Sequence, residues 1–313
     1  MLQKLLLPVG TLAALVIAYI VPQSGIYLKN LNLIAWLVVI IFWTYGYTHD
    51  ITNIKFSRKT AIASVVIIIN NLILSALIGS FFGWLLLPTL AAVGLLVITS
   101  MPPTLSSGIV ITDNSDGNAV LALLFTIILN LVGIFLMPIM FKFTLAGFQN
   151  IDISSTLILL KLVKIILIPL VIGYFMKLIV PKYNHFNLYK LIPSICVILI
   201  TFIGLSEAMS KIEEVNIGLL LLIIGASIIV HFILLAINWF IGSKIVRLEK
   251  YNNKAMIFVG SQKTLPIALF ILFLILKDAA LASVVCVLYY FLQILIDSAI
   301  AIKCKPEIKK SKA

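Results

Sequence analysis

Long apolar runs separated by short charged connections organise the whole of this 313-residue chain. A helix needs about 20 apolar residues to cross the hydrocarbon of a bilayer. On that measure the pattern predicts helices over 4–21, 31–48, 60–82, 87–112, 117–142, 156–179, 188–209, 216–243, 252–276 and 279–302. The first run follows Lys4 as the apolar region of a signal peptide follows a basic start, but no small-residue cleavage site comes after it. It is expected to remain as a first span, giving about ten in all.

The charged connections test that count, because cytoplasmic loops of membrane proteins are enriched in Lys and Arg. With the N terminus inside, the inner connections carry Lys55, Arg58 and Lys59, then Lys177, Lys182 and Lys190, then Lys244, Arg247, Lys250 and Lys254. The tail adds Lys303, Lys305, Lys309, Lys310 and Lys312. The outer connections hold only Lys29, Lys142, Lys211 and Lys277, together with Glu207, Glu213 and Glu214. The bias predicts a multi-pass protein of a bacterial inner membrane with both termini in the cytoplasm.

Two of the predicted spans are interrupted. In the fourth, Met101-Pro102-Pro103-Thr104-Leu105-Ser106-Ser107-Gly108 sets two prolines and three hydroxyls mid-span, which breaks the backbone hydrogen-bond ladder. In the ninth, Gly260-Ser261-Gln262-Lys263-Thr264-Leu265-Pro266 does the same. Broken backbone at membrane depth is tolerated only where protein buries it or a cavity hydrates it. The interruptions lie five spans apart, as two five-helix repeats over 1–150 and 151–313 would place them, and an odd repeat must be inverted in the membrane. Half-helix ends would then meet near the midplane, with amide ends suited to anions and carbonyl ends to cations. The alternative is a pair of ordinary proline kinks.

Composition agrees with the pattern: 62% of residues are hydrophobic and 11% charged, far from a soluble mixture. The net charge of +12 does not point to nucleic acid, since the lysines lie in connections and tail without a basic face carrying aromatics. Cys196, Cys286 and Cys304 lack metal-site or disulfide spacing, and no metal, disulfide or cofactor is expected. An intramembrane enzyme finds little support. His49, His185 and His231 do not form a His-Glu-x-x-His helix, and a nucleophile at Ser106 or Ser107 would have only His231 as base.

Charges inside the spans mark candidate sites. Lys263 is either a fixed positive charge where a cation would otherwise sit or a group that exchanges a proton; the bland reading is snorkelling to an interface. Asp297, four residues after Gln293, is expected to pair with Lys263, unless it lies near the cytoplasmic surface close to Lys303. Lys161 and Lys164 share a helix face and either draw an anion or snorkel. His231 reads as a hydrogen-bonded core histidine, with a proton relay as the alternative. Asp113 and Asp116 are expected in a loop, capping the fifth span at Gly117 or Asn118, or else assisting cation entry.

The two interruptions, with Gly117-Asn118, Tyr289-Tyr290-Phe291-Leu292-Gln293 and Trp36-Leu37-Val38-Val39-Ile40-Ile41-Phe42, resemble the bile acid:sodium symporter family, and in particular its bacterial sodium-bile-acid-symporter-like branch. The resemblance implies an all-α fold of ten helices, with helices one, two, six and seven as a panel. Helices three to five and eight to ten would form a core, with the broken fourth and ninth crossing inside it. It implies one cation site near Ser106, Ser107, Thr126 and Asn130, and a second near Asn70 or Asn71 and Gln262. The family's Glu aligns with Phe258 and a neutral position with Lys263, so a carboxylate is gone and an ammonium added where a hard cation wants oxygen and negative charge.

The sequence therefore predicts a secondary transporter of a small or amphipathic organic anion, working by alternating access between core and panel, as monomer or homodimer. Sodium or a proton is the candidate coupling ion. Thr104, Ser261, Thr264 and Gln293 join the binding candidates because they flank the interruptions. The rivals are a cation/proton antiporter using Lys263 and a carboxylate, and a membrane regulator that transports nothing.

Overall fold

A computed structural model describes residues 2–48, 57–145, 154–180, 191–209 and 216–304, and every regular element among them is helical. The helices are α1 (Leu2–Ile20), α2 (Pro22–Asn30), α3 (Leu33–Thr48), α4 (Arg58–Ile68), α5 (Ser75–Leu86), α6 (Thr89–Thr99), α7 (Ser107–Asn114) and α8 (Ala119–Thr144). There follow α9 (Ser155–Leu162), α10 (Ile168–Ile179), α11 (Ile192–Met209), α12 (Ile217–Phe240), α13 (Lys250–Ser261), α14 (Leu265–Ile275) and α15 (Ala280–Lys303). A π turn over Ile69–Leu74 joins α4 to α5, another over Val163–Leu167 joins α9 to α10, and a third, Ile241–Ile245, extends α12.

Each of the predicted apolar stretches contains helix, and seven helices among the described residues are long and apolar enough to cross a membrane. An eighth is reached if α2 and the end of α1, bent by 100°, count as one span. The 16-residue α3 and the 11-residue α6 fall short of that length. The chain is an all-helical, multi-span membrane protein. Its fourth predicted stretch is interrupted between α6 and α7, and its ninth between α13 and α14.

The sequence pattern missed α2, whose composition is polar. Pro22 sits in its first turn, where a missing N–H is harmless. Ser57, Asn118, Ser154 and Asn216 cap α4, α8, α9 and α12 by accepting from backbone N–H groups. The cap of α8 is thus Asn118 itself, through Leu121 N at 3.0 Å, and not an aspartate. Asp116 instead takes a left-handed turn conformation (φ 55°) and Asp113 is exposed.

Helix α3 packs along α10, and α1 along α11. A side chain at Gly46 would lie 2.2 Å from Leu170 O, and one at Gly173 would lie 2.1 Å from Trp43 O, so these paired glycines set the approach of α3 to α10. Helix α6 lies against α5 and α15 and is buried over Ala91–Thr99, as expected of a helix apolar on all sides. Large apolar side chains such as Phe81, Trp84, Phe135 and Phe143 point outward, as a hydrocarbon surrounding requires. Lys254 departs from its expected place in a solvated loop. It is buried and donates to Ser115 O, Asp116 O and Cys304 O, the carbonyl ends of α7 and α15, where a cation is favoured. His49, Lys55, Lys182, His185, Lys190, Lys211, Glu213, Glu214, Lys305, Lys309, Lys310 and Lys312 lie outside the described residues.

Candidate functional site

The two helix breaks meet. Thr264 N, in the ninth-stretch break, donates to Pro102 O in the fourth-stretch break at 3.0 Å. Proline forces the first of these, because Pro102 and Pro103 have no N–H to offer the ladder and their rings oppose helical packing. In the second, Gln262 and Thr264 are extended (ψ 154° and 124°). Each break is gripped by an amide side chain from a neighbouring helix. Asn130 on α8 donates to Pro103 O at 3.2 Å, while Gln293 on α15 accepts from Lys263 N at 2.9 Å and donates to Lys263 O at 2.7 Å.

Lys263 is completely buried. Its ammonium has three protons and three oxygen partners: Asn71 O, Ser75 Oγ at 2.7 Å and Met101 O at 3.0 Å. Two of those oxygens are available because the backbone is irregular, Met101 at the helix break and Asn71 in the π turn. Asn71 also turns its amide onto Gly260 O at 2.9 Å and Gln262 O at 3.2 Å, capping the carbonyl end of α13. The shell is one that would suit a bound cation, and the ammonium fills it.

The expected pairing of Lys263 with Asp297 does not occur. Gln262 and Lys263 are successive residues of an extended segment, so their side chains leave in opposite directions. Gln262 turns toward α15 and Lys263 toward the π turn. Asp297 is fully buried, not near a surface, and its two oxygens go to His231 Nε2 at 2.8 Å and Gln262 Nε2 at 2.9 Å. Gln262 Oε1 in turn lies 2.8 Å from Thr104 Oγ1 and 2.9 Å from Ser107 Oγ. His231 is therefore the hydrogen-bonded buried histidine that the sequence suggested.

Two cavities adjoin the crossing. One of about 400 Å³ lies between α3, α10 and α8, with walls from Phe42, Tyr45, Leu131, Leu170, Tyr174 and Phe175, and with Leu105 and Asn130 at its edge. A smaller one of about 30 Å³ shares Phe42 and Leu105 and is lined by Thr104, Ser106, Ser107, Thr264 and Tyr290. The first is almost wholly apolar, suited to the body of an amphipathic ligand; the second offers hydroxyls.

Most of the other candidates fall apart from these groups, Asn130 being the exception. Thr126 Oγ1 bonds back to Ala122 O at 2.8 Å and Ser261 Oγ to Ile257 O at 2.8 Å, each within its own helix. Asn130 Nδ2 reaches Thr126 O at 2.9 Å, and its Oδ1 has no hydrogen-bond partner among the described residues. Asn70 Nδ2 lies 3.4 Å from Asn238 Oδ1. Ser107 Oγ bonds to Thr104 and Gln262 and not to Thr126. Lys164 is exposed and Lys161 partly so, and neither lines a described cavity. Sequence reasoning missed Ser75, though its place four residues after Asn71 puts both on one helix face.

Residues 5–305 match the SBF-like CPA transporter family. The protein named probable sodium/metabolite cotransporter BASS4, chloroplastic, of Arabidopsis thaliana is 31% identical over 222 residues, covering 66% of this chain and 51% of the relative. Its namesake from Oryza sativa subsp. indica is 25% identical over 312 residues, covering 94% of this chain and 74% of the relative. The chain spans about half the length of the Arabidopsis protein it matches.

Proposed function

We propose, from the premise that this chain belongs to the SBF-like CPA transporter family, that it is a secondary transporter carrying a small or amphipathic organic anion by alternating access. The family is one of transporters and not of enzymes. The observation that carries the reading is the junction of two broken helices, joined at Thr264 N and Pro102 O, beside a cavity that touches both.

In this reading the chain crosses the membrane ten times as two inverted repeats, 1–150 and 151–313, with both termini in the cytoplasm. Helices α1–α3 and α9–α11 form the panel; α4–α8 and α12–α15 form the core. The larger cavity lies between the panel's α3 and α10 and the core's α8. At the opposite end of α3, Lys29 of α2 pairs with Glu207 of α11 at 2.5 Å and stands 4.8 Å from the ring centre of Phe273 on α14. In this reading that contact holds panel on core at one end.

The relatives' name speaks of sodium and a metabolite. In this chain Lys263 takes the position of a cation, its ammonium held by three oxygens. A second positive charge in the same shell would meet direct repulsion. Sodium is therefore not the occupant of that shell, and coupling runs through another ion or by exchange. A cation/proton antiporter is the second reading, favoured by the buried carboxylate of Asp297 at the crossing.

The test is uptake into proteoliposomes of radiolabelled pyruvate, 2-oxoglutarate and taurocholate, with and without sodium. Uptake of at least one anion, indifferent to sodium against potassium, is expected. A Ser106→Trp variant, whose side chain would fill the smaller cavity, should fold and lose that uptake. Saturable, sodium-specific uptake or stabilisation would overturn the role given to Lys263. A folded protein that moves none of the three anions but exchanges cations for protons would favour the antiporter, and one that moves nothing would favour a regulator.

A further inference from the structure

Behind the crossing lies a titratable pair that the transport reading leaves unused. His231 Nε2 and Asp297 Oδ1 are 2.8 Å apart, at 1% and 0% side-chain exposure. When Asp297 is ionised both its oxygens only accept, one from Gln262 Nε2 and the other from His231, so the proton in the pair then sits on His231 Nε2. That tautomer leaves Nδ1 as a bare acceptor, and Nδ1 has no hydrogen-bond partner among the described residues. The imidazole thus keeps one vacant position for a proton.

The pair is also connected to the transport path. From Asp297 the contacts run through Gln262 to the hydroxyls of Thr104 and Ser107, which line the smaller cavity. We propose that His231, oriented by Asp297, is the proton-binding site of this transporter and that one proton travels with each organic anion. This rests on the transport reading above and names its coupling ion.

Charge balance gives the reason. Besides His231, the ionisable groups buried at the crossing include Lys263 and Asp297, whose charges cancel as ammonium and carboxylate. A proton added at His231 Nδ1 leaves a net positive charge in a low-dielectric interior, which is costly unless an anion answers it. An anion in the adjoining cavity supplies that answer, so proton and anion each favour the binding of the other, and the coupling is reciprocal. No other bond changes: the proton comes from the water on one side and leaves to the water on the other after the conformational change.

Helices α13, α15 and α5 and two π turns pack against α12. Helix α13 carries Lys250, Tyr251 and Lys254, α15 carries Cys286, Tyr289, Tyr290, Asp297 and Lys303, and the terminal π turn carries Lys244. Helix α5 and its π turn carry no titratable group, and Lys263 lies in the break beyond α13. Of these only Asp297, by its hydrogen bond, and Tyr289, with its ring edge-on at 6.0 Å, meet the imidazole among the described residues.

Two measurements test the proposal. In proteoliposomes, acid outside should speed uptake of the transported anion among pyruvate, 2-oxoglutarate and taurocholate by about 5-fold or more, the lower range of ordinary coupling. His231→Gln, which retains a donor for Asp297, should fold and lose that acceleration. A His231→Gln protein that folds and responds to the gradient as the parent does overturns the proposal. The second measurement needs neither a variant nor transport: nitrogen-15 resonances of histidine-labelled protein, with only three histidines to assign. His231 should change protonation across the range in which the protein stays folded, and a His231 signal that never responds to pH overturns the site. If none of the anions is taken up while His231 titrates, the transport reading fails and the proton site stands.

Discussion

The two helix breaks meet at one hydrogen bond yet carry different things. The fourth-stretch break runs from Ser100 to Ser106, is built on two prolines, and presents Thr104, Leu105 and Ser106 to the cavities. The ninth-stretch break is only Gln262–Thr264, is buried, and carries the ammonium. Proline breaks a helix without adding charge, so the first can form the wall of a ligand site. The second breaks where Gln262 and Thr264 become extended, and the freed polar groups are bound by Gln293 from α15. In the proposed function one break thus provides access and the other electrostatics.

The largest effect should come from removing the charge that distinguishes the ninth-stretch break. Lys263→Ala leaves Asn71 O, Ser75 Oγ and Met101 O facing an empty shell. A loss of about 3–5 kcal/mol is expected, because three buried oxygens lose their donor. Thermal unfolding in detergent would measure it, and the vacated shell should make the variant newly responsive to sodium. A variant as stable as the parent and equally indifferent to cations would mean that the two breaks do not differ electrostatically.

Next in size is the contrast between the two amide grips. Gln293 holds both polar groups of Lys263, at 2.9 and 2.7 Å, whereas Asn130 holds Pro103 O once, at 3.2 Å. Gln293→Ala should cost about 2–3 kcal/mol and Asn130→Ala about 1 kcal/mol, following the number of buried groups left unpaired. Unfolding midpoints of the two variants side by side give the ranking. The reverse order would show that the proline break, not the charged one, depends more on its neighbours.

How much of this could be read in advance depends on the kind of signal. Helix positions follow from run length, and both breaks from Pro102-Pro103 and from Gly260 with Pro266, because these are local properties of the chain. The partners of Lys263 were not legible. Opposite charges in hydrocarbon should attract, which favoured Asp297, but one extended residue step turns Gln262 and Lys263 to opposite sides. The true partners include two backbone oxygens, which leave no trace in residue type. Asn71 O is exposed to the ammonium by a π turn that the apolar pattern does not announce. His231 and Asp297 are 66 residues apart, on helices whose contact no periodicity encodes. The polar helix α2 was missed because apolar length is blind to it.

The smallest expected effect is the one that separates the geometry from the resemblance. The family pattern would make Thr126 a cation ligand beside Ser106, Ser107 and Asn130. Here its hydroxyl is satisfied by Ala122 O at 2.8 Å, a bond within its own helix, and the side chain is wholly buried. Thr126→Val preserves the shape and removes only that hydroxyl. Such back-bonding gives a helix little stability, so the change should stay within about 1 kcal/mol and leave anion uptake as it was. Uptake and unfolding should be measured on the variant at several sodium concentrations. If Thr126→Val instead loses a sodium response that the parent possesses, the fourth-stretch break has a cation site of its own. The division between an access break and an electrostatic break would then be wrong.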